Sequence, residues 1–257
     1  MARHKVHEED QKVKTPKPKL HILGEPSSAD SARSAGTTDE PRAAANAVFD
    51  IDVVSDVVCP WCWVGKRRLE KAIALLGPKA NVKVTWRPYQ LNPSMPKDGA
   101  DRREYIAAKF GSVARFAAME ERLVEIGASE GIGFRFDRIS RSPNTLDAHR
   151  MVWLSQRHGG QDAVVEALFN AYFVDGTDVG EAHNLAAIAA AAGMEKTFVE
   201  RFLASDDGLR AVLDEERQFK AMGINGVPGF ISNGRYLFSG AIEAQMMVDA
   251  LRESVAP

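Results

Sequence analysis

The sequence has only two cysteines, almost no net charge and no long apolar run. Two cysteines cannot build the multiple-disulfide framework that stabilises small secreted domains. The 33 basic and 35 acidic residues leave a net charge of -2, which gives no overall attraction to nucleic acid or to an anionic membrane. No run approaches the roughly 18 apolar residues that cross a bilayer, and the first twenty residues lack the apolar core of a secretion signal. We therefore expect a cytoplasmic protein without nucleic-acid or membrane partners.

The remaining composition is that of a globular protein with a tail. With 257 residues, of which 45% are hydrophobic, the chain can bury a substantial core. Residues 1–46 are an exception, because they mix Lys, Glu, Pro and Ser without a helical or strand period, and we expect a disordered N-terminal tail there. The rest divides into a first sheet-forming part (47–100), an inserted helical subdomain (101–222) and a second sheet-forming part (223–257).

The predicted elements support that division. β-Branched residues predict a strand at 48–54, and alternating apolar residues predict another at 81–86. Between them, Pro60 is typical of a helix start and Gly77 of a helix end, which predicts a helix over 60–76. Apolar periodicity and glycine breaks predict helices over 102–110, 113–129, 145–157, 162–173, 182–192, 196–204 and 209–222.

A hairpin and a helix complete the prediction. Asn233 and Gly234 separate two short strands, at 230–232 and 236–238, and this dipeptide is a strong hairpin signal. A last helix follows over 242–253. The fold class is thus α/β, with a sheet interrupted by a large inserted α-helical subdomain, and this arrangement brings the loop at 59–62 close to the loop at 227–228.

The two cysteines stand in the motif Cys59-Pro60-Trp61-Cys62, at the start of the first helix. Unpaired N–H groups and the positive end of the helix dipole favour the thiolate form of Cys59. Cys62 lies one helical turn further in, where it can attack a mixed disulfide formed on Cys59. We therefore predict that Cys59 attacks and Cys62 resolves. The alternative is half of a zinc site, but the histidines have no paired ligand spacing, so we predict no metal.

The segment around the motif resembles the active site of the DsbA family, and within that family the FrnE-like branch. The resemblance spans about residues 49–251 and implies a thioredoxin-like fold. It rests on these segments in order: 55–70 (SDVVCPWCWVGKRRLE), 91–93 (LNP), 101–105 (DRREY), 142–150 (SPNTLDAHR) and 226–228 (GVP).

The resemblance implies roles for residues outside the motif. Pro228 resembles the family's cis-proline, with the backbone of Val227 pairing with an extended substrate. Asp52 resembles the buried acid that relays a proton for the resolving cysteine, although a carboxylate facing water is equally expected there. Pro60 and Trp61 would support the site, and a histidine occupies the position of Trp61 in DsbA relatives.

Three further residues would border the substrate cleft: Asn144, Thr145 and His149. Asn144 and Thr145 could instead cap the helix that begins there, and His149 could be a packed helix residue. Trp63, inside the helix, is expected in the core, whereas Trp61 could line an apolar rim.

The implied function is thiol–disulfide exchange or isomerisation on protein or small-molecule substrates that carry thiols or disulfides. The redox-active disulfide needs no added cofactor, and glutathione is a candidate co-substrate. Monomer and homodimer both remain open. Two alternatives stand beside it. The first is a glutathione-dependent enzyme similar to 2-hydroxychromene-2-carboxylate isomerase or kappa-class glutathione transferase, which generally carry serine at the position of Cys59. The second is a peptide-binding, chaperone-like module.

Overall fold

The computed structural model describes residues 48–255, so the predicted disordered tail lies outside the described residues. The described part opens with strand β1 (Val48–Ser55), helix α1 (Pro60–Leu76) and strand β2 (Asn81–Pro88). The two strands pair in parallel over their full length, which requires the helix as a crossover. Helix α1 has its predicted bounds. Pro60 is its first residue, a position that suits proline, and the helix ends at Gly77, whose φ of 86° is not helical.

The sheet is completed by the C-terminal part of the chain. Strands β5 (Gly229–Ser232) and β6 (Arg235–Ser239) form an antiparallel hairpin, and the sheet order is β2-β1-β5-β6. Asn233 and Gly234 both have positive φ, at 51° and 76°, as a two-residue turn of this kind requires. Helix α9 (Ala244–Ser254) then packs against α1. The predicted hairpin is confirmed.

A block of helices lies between β2 and β5 in sequence. It comprises α2 (Arg102–Phe110), α3 (Val113–Ser129), α4 (Leu146–His158), α5 (Gln161–Asn170) with a π-helical turn (Ala171–Asp175), α6 (Ala182–Ala191), α7 (Lys196–Leu203) and α8 (Leu209–Ala221). The α/β class with a large helical insertion is therefore confirmed. The sequence did not predict the two-residue ladder of β3 (Ala100–Asp101) with β4 (Arg141–Ser142), which is too short to show a strand period.

The two faces of β1 contribute to different parts of the core. Phe49, Ile51 and Val53 join the larger cluster together with α1, whereas Val54 joins a smaller cluster with residues of α8 and β5. This division follows from the alternation of side chains along a strand. Trp63 is 2% exposed and its ring stacks on that of Phe169 at 5.8 Å, so the expectation that it belongs to the core is confirmed.

Ion pairs that each have at least one buried partner attach α1 to the inserted helices. Lys66 is 3% exposed, and its Nζ lies 3.0 Å from Asp162 Oδ2 and 3.2 Å from Glu166 Oε2. On the same helix, Arg68 Nε and Lys71 Nζ contact Glu130 at 2.7 and 2.6 Å. Because these partners come from two separate segments of the insertion, the helix that carries the cysteines is held from two sides.

Within residues 48–255, no helix has both the length and the apolarity needed to cross a membrane.

Candidate active site

The two cysteines lie at the start of α1 as free thiols. Cys59 is the N-cap residue, and its N–H donates to the Asp56 carbonyl at 3.0 Å. The Cys62 N–H in turn donates to the Cys59 carbonyl at 3.0 Å, which closes the first turn. Cys59 thus occupies the N-cap position in front of the first turn of α1, and its side chain makes no capping hydrogen bond to the helix.

The two sulfurs have different surroundings. Cys59 borders a cavity, whereas Cys62 is 0% exposed. Burial raises the pKa of the Cys62 thiol well above its ordinary value, and the neighbouring Cys59 raises it further. The Ser55 hydroxyl and the Asp56 N–H hydrogen bond to the Cys62 sulfur and act in the opposite direction. Both cysteines are buried, but Cys59, at 5% exposure, borders the cavity and is therefore suited to attack, whereas the fully enclosed Cys62 is suited to resolution.

The predicted cis bond between Val227 and Pro228 is confirmed. Across 168 residues of sequence, the Cys59 thiol lies 3.8 Å from the Val227 carbonyl oxygen, to which it donates. Pro228 packs against α1 at Gly65, where an added Cβ would be only 2.9 Å from Pro228 Cγ. The loop thus approaches the cysteine helix as closely as it does because residue 65 has no side chain.

A cavity of about 380 Å³ lies beside Cys59. One wall comes from the sheet-forming part of the chain, through Trp61, Leu91 and Val227, and the other comes from the helical insertion. The apolar lining of the second wall consists of Ile106, Phe110, Phe116, Met119, Leu123, Phe136 and Phe173. Several large apolar side chains at this cavity remain exposed, among them Trp61 at 39% and Met119 at 55%. Apolar substrate groups would be buried here next to the reactive sulfur.

Cationic side chains are also present in the cavity wall. Lys109 Nζ donates to the Tyr105 hydroxyl at 2.7 Å, and Arg102 is paired with Glu120. The Arg102 guanidinium also lies 3.4 Å from the Tyr172 hydroxyl. These groups add a polar edge to an otherwise apolar wall.

The predicted cleft residues are divided by the structure. Thr145 borders the cavity. Asn144 has a capping role instead, because its Oδ1 accepts the Leu146 N–H at 3.0 Å and its amide donates to the Met95 carbonyl at 2.7 Å. His149 is 3% exposed inside α4 and lies behind the cavity wall, with its Nε2 3.4 Å from Asp56 Oδ1.

Of the two roles expected for Asp52, that of a buried acid beside the cysteines is not the one that its contacts support. Its carboxylate pairs with Arg87 Nε at 2.7 Å, and Arg87 also contacts Glu215 of α8. Residues 52 and 54 share one face of β1, which is the α8 face, while Cys62 packs with residues 49, 51 and 53 on the other. Alternation along the strand therefore directs Asp52 away from the cysteines.

The acid at the site is Asp56, which the sequence analysis did not single out. It is 1% exposed, and its Oδ2 accepts the Leu91 N–H at 2.8 Å. The signal that could have found it is its position three residues before Cys59, at the end of a buried strand. Its carbonyl and N–H contact both cysteines, as described above.

Among the described residues 48–255, no group of histidine, cysteine, aspartate and glutamate side chains is arranged to hold a metal ion.

Comparison with known proteins identifies a family. Residues 50–252 match the model of the DSBA-like thioredoxin domain. The crystal structure of probable DsbA oxidoreductase SCO1869 from Streptomyces coelicolor is 32% identical, with a TM-score of 0.74, and the match covers 80% of this chain and 89% of that one. Protein YwbO of Bacillus subtilis is 26% identical over 186 residues, 70% of this chain and 85% of that protein. The cytosolic disulfide reductase DsbM from Pseudomonas aeruginosa, solved with GSH, has the same fold at 19% identity and a TM-score of 0.54, over 80% of this chain and 96% of that one.

Proposed function

The chain belongs to the DSBA-like thioredoxin domain family, and from that membership we propose that it is a thiol–disulfide oxidoreductase with Cys59 as nucleophile and Cys62 as resolving thiol. The observation that carries the proposal is the asymmetry of the pair. Cys59 borders the cavity and the Val227 carbonyl, while Cys62 is buried with a raised pKa. An exchange enzyme needs one sulfur that can reach the substrate and a second sulfur that can reach only the first sulfur.

The exchange has two steps. The Cys59 thiolate attacks a substrate disulfide, forms a mixed disulfide and releases the first substrate thiolate. Cys62, once deprotonated, attacks Cys59, forms the Cys59–Cys62 disulfide and releases the second substrate thiolate. Two electrons pass from the enzyme dithiol to the substrate. The reverse sequence oxidises a substrate dithiol, and a mixed disulfide that is returned to another substrate thiol gives isomerisation.

The cavity indicates the substrates. We infer that it accepts disulfides flanked by large apolar groups, in polypeptides or in small molecules, because large apolar side chains form most of the exposed surface of its helical wall. The Val227 backbone would pair with an extended substrate segment. We also infer that the protein is cytoplasmic and that it exchanges with glutathione. The name of the structurally similar DsbM, a cytosolic disulfide reductase solved with GSH, supports both the location and the co-substrate.

Two other functions are less well supported. A glutathione-dependent isomerase or transferase would not need a resolving thiol. This chain has a second thiol in the position of one, because Cys62 lies buried one helical turn after Cys59. A chaperone-like module would use the apolar cavity alone. Both alternatives predict that the two cysteines are dispensable.

The cysteines are tested by two substitutions. Cys59→Ser should abolish reduction of insulin disulfides, because the attacking sulfur is gone. Cys62→Ala should retain attack and accumulate mixed disulfides that mass spectrometry detects, because no internal thiol can release them. Equal activity of wild type and Cys59→Ser would remove the nucleophile assignment and favour the chaperone-like module.

The cavity is tested by a matched pair of methionines. Met119 lines the cavity and is 55% exposed, whereas Met246 on α9 is 56% exposed and is not among the cavity residues. Met119→Ser should raise KM several-fold for peptide disulfides that carry aromatic residues and leave kcat for glutathione disulfide unchanged. Met246→Ser should change neither. If both variants behave alike, the apolar wall does not bind substrate.

A further inference from the structure

Two buried residues with free hydroxyl groups line the cavity beside Cys59. Ser142 is 6% exposed and Thr145 is 5% exposed, and neither side chain forms a hydrogen bond within residues 48–255. In that part of the chain, the fully enclosed side-chain atoms that lack a partner are His149 Nε2 and Trp153 Nε1. The two hydroxyl oxygens are not among them, so they keep contact with the cavity that their residues line. Polar groups so deeply buried are normally paired, which indicates that the cavity holds their partner.

The Thr145 hydroxyl is free because a neighbour does its usual work. Thr145 is the N-cap residue of α4, a position where a threonine side chain ordinarily accepts a backbone N–H of the first turn. Here Asn144 Oδ1 accepts the Leu146 N–H at 3.0 Å instead, and the Asn144 amide fixes the loop by donating to the Met95 carbonyl at 2.7 Å. The threonine therefore has no structural hydrogen bond to lose when it binds a ligand.

A third hydroxyl, that of Tyr172, lies in the same part of the wall. It donates to the carbonyl of Arg141, the residue before Ser142, and accepts from the Arg102 guanidinium, both at 3.4 Å. Both bonds are longer than the usual 2.7–3.0 Å or so, and a ligand could replace either with a shorter one. Burial raises the pKa of the Tyr172 hydroxyl, so this group keeps its proton and remains a donor.

A short chain of contacts connects these hydroxyls to the reactive loop. The Thr145 carbonyl accepts the His149 N–H at 3.0 Å, and His149 Nε2 lies 3.4 Å from Asp56 Oδ1. The Asp56 carbonyl in turn accepts the Cys59 N–H at 3.0 Å. The hydroxyls come from the helical insertion, whereas Val227 belongs to the other wall of the same cavity. A substrate segment at Cys59 is therefore bordered by polar groups from both parts of the chain.

The cations near the hydroxyls already have anionic partners. Arg102 is paired with Glu120, and Arg141 Nε lies 3.9 Å from Asp178 Oδ2. Lys109 also lines the cavity, but it stands seven residues after Arg102 on α2, which is about 10 Å along the helix. No unpaired cation is thus placed at the hydroxyls to attract a carboxylate.

The anions near the hydroxyls oppose a carboxylate directly. Asp56 and Asp178 both raise the pKa of Tyr172 through their charges, which means that an added negative charge would be repelled there as well. A neutral amide avoids this repulsion, and its carbonyl oxygen accepts hydrogen bonds from hydroxyl groups. The charges around the hydroxyls therefore favour an amide as the ligand group.

We propose that Ser142, Thr145 and Tyr172 form a subsite that binds a backbone amide of a polypeptide next to the cysteine whose disulfide Cys59 attacks. The inference rests on the proposed function and deepens it, because it narrows the substrates to disulfides within polypeptides. The hydroxyls donate to the amide carbonyl oxygen and hold the segment on the side of the insertion. The backbone of Val227 pairs with the segment from the other wall.

Three small disulfides separate the ligand chemistries. N,N′-diacetylcystine bis(methylamide) has an amide on each side of its cysteines, N,N′-diacetylcystine has a carboxylate in place of one amide, and diethyl disulfide has neither group. The reduced full-length protein is mixed with an excess of each, quenched with acid and analysed by mass spectrometry for the Cys59–Cys62 disulfide. Each rate is divided by that of the same disulfide with 2-mercaptoethanol, which removes differences in intrinsic reactivity. The normalised rate should be at least about tenfold higher for the bis(methylamide) than for diethyl disulfide, and lower for diacetylcystine than for the bis(methylamide).

The hydroxyls are then removed one at a time. Thr145→Val keeps the shape of the side chain and should lower the normalised rate for the bis(methylamide) about three- to tenfold, the range of one hydrogen bond. Its rate with diethyl disulfide should stay within about twofold of wild type. Ser142→Ala and Tyr172→Phe should have the same selective effect and serve if Thr145→Val does not fold.

Thr85→Val is the matched control, because Thr85 of β2 is also buried, at 7% exposure, and is not among the cavity residues. It should keep all three rates. The proposal is overturned if the cavity variants keep the wild-type rate with the bis(methylamide), or if they slow all three disulfides equally, as a structural role would. A greater loss with diacetylcystine would identify a carboxylate site and overturn it too. Equal normalised rates of wild type with the three compounds would refute the subsite alone, whereas no Cys59–Cys62 disulfide with any of them would refute the proposed function.

Discussion

Replacing Gly65 of α1 by alanine should lower activity strongly while lowering stability only slightly. In an open helix site, replacing glycine by alanine stabilises a protein by about 1 kcal/mol. At Gly65, however, the new Cβ would lie 2.9 Å from Pro228 Cγ and 3.4 Å from Phe230 Cζ. Overpacking of this kind typically costs about 1–3 kcal/mol. The two effects offset each other, so Gly65→Ala should lose between zero and about 2 kcal/mol of unfolding free energy.

The effect on activity should be larger, because the atoms displaced belong to the site. Pro228 follows Val227, whose carbonyl oxygen lies 3.8 Å from the Cys59 sulfur. Relief of the contact moves this loop away from α1 and widens the gap that an extended substrate must span. We expect a loss of at least about tenfold in kcat/KM for insulin disulfides, since small displacements of positioning groups can cost about 100-fold.

The assay combines a thermal melt with initial rates. A loss of up to 2 kcal/mol lowers Tm by no more than about 8 °C in a domain of this size. Gly133→Ala is the matched control, because Gly133 has open space around its Cα and an ordinary backbone φ. That variant should keep full activity. If Gly65→Ala also keeps wild-type rates, the close approach of Pro228 to α1 is not required for exchange.

Three more predictions follow from single contacts. The wild type should have a redox potential of roughly −230 to −180 mV. Trp61→His should raise it, because histidine can donate a hydrogen bond to the Cys59 sulfur or carry a positive charge beside it. An unchanged potential on equilibration with glutathione would contradict this. Burial alone would raise the pKa of Glu130, but hydrogen bonds from Lys71 and Arg68 outweigh it and lower the pKa. The stability from this carboxylate is therefore present above its unfolded pKa of about 4.3 and is lost as pH falls through the folded value. Glu130→Gln should cost about 1.5–3 kcal/mol at pH 7 and much less at pH 3, and an equal loss at both, measured by urea unfolding, would show that charge is not involved. Arg150 is 4% exposed and donates to a carbonyl near the end of α7 and to one in the turn before α8. Arg150→Met should therefore cost about 3 kcal/mol or more, whereas the cysteine chemistry of the folded fraction, measured with Ellman's reagent, should not change. A stability within about 1 kcal/mol of wild type would be inconsistent with this role.

The sequence predicted the elements of this fold well because local signals mark most of their ends. Pro60 and Gly77 bound α1, and Asn233 with Gly234 fixes the hairpin. The ladder between β3 and β4 has no such signal, since two residues cannot display a period. The π-helical turn at Ala171–Asp175 continues α5, and its first three residues were predicted as ordinary helix.

The candidate site was only partly predictable. The cysteine pair and Pro228 are recognisable from motifs, because their chemistry depends on local spacing. Strand alternation shows that positions 50 and 52 share a face, but it does not tell which face meets the cysteine helix, so it could not decide between the two roles expected for Asp52. The contact of Asp56 with His149 depends on how α4 packs, which no local pattern encodes.

The position of β1 in the sheet has a consequence for the newly made chain. Its contacts on the β5 side come from residues far downstream, and Val227 follows Cys59 by 168 residues. Ribosomes add roughly 5–20 residues per second, so the cysteines emerge about 8–34 s before the loop that borders them has been synthesised. During that interval the Val227 carbonyl is not available to the Cys59 thiol. The surroundings on which the proposed roles of the two sulfurs depend are therefore completed only late in synthesis.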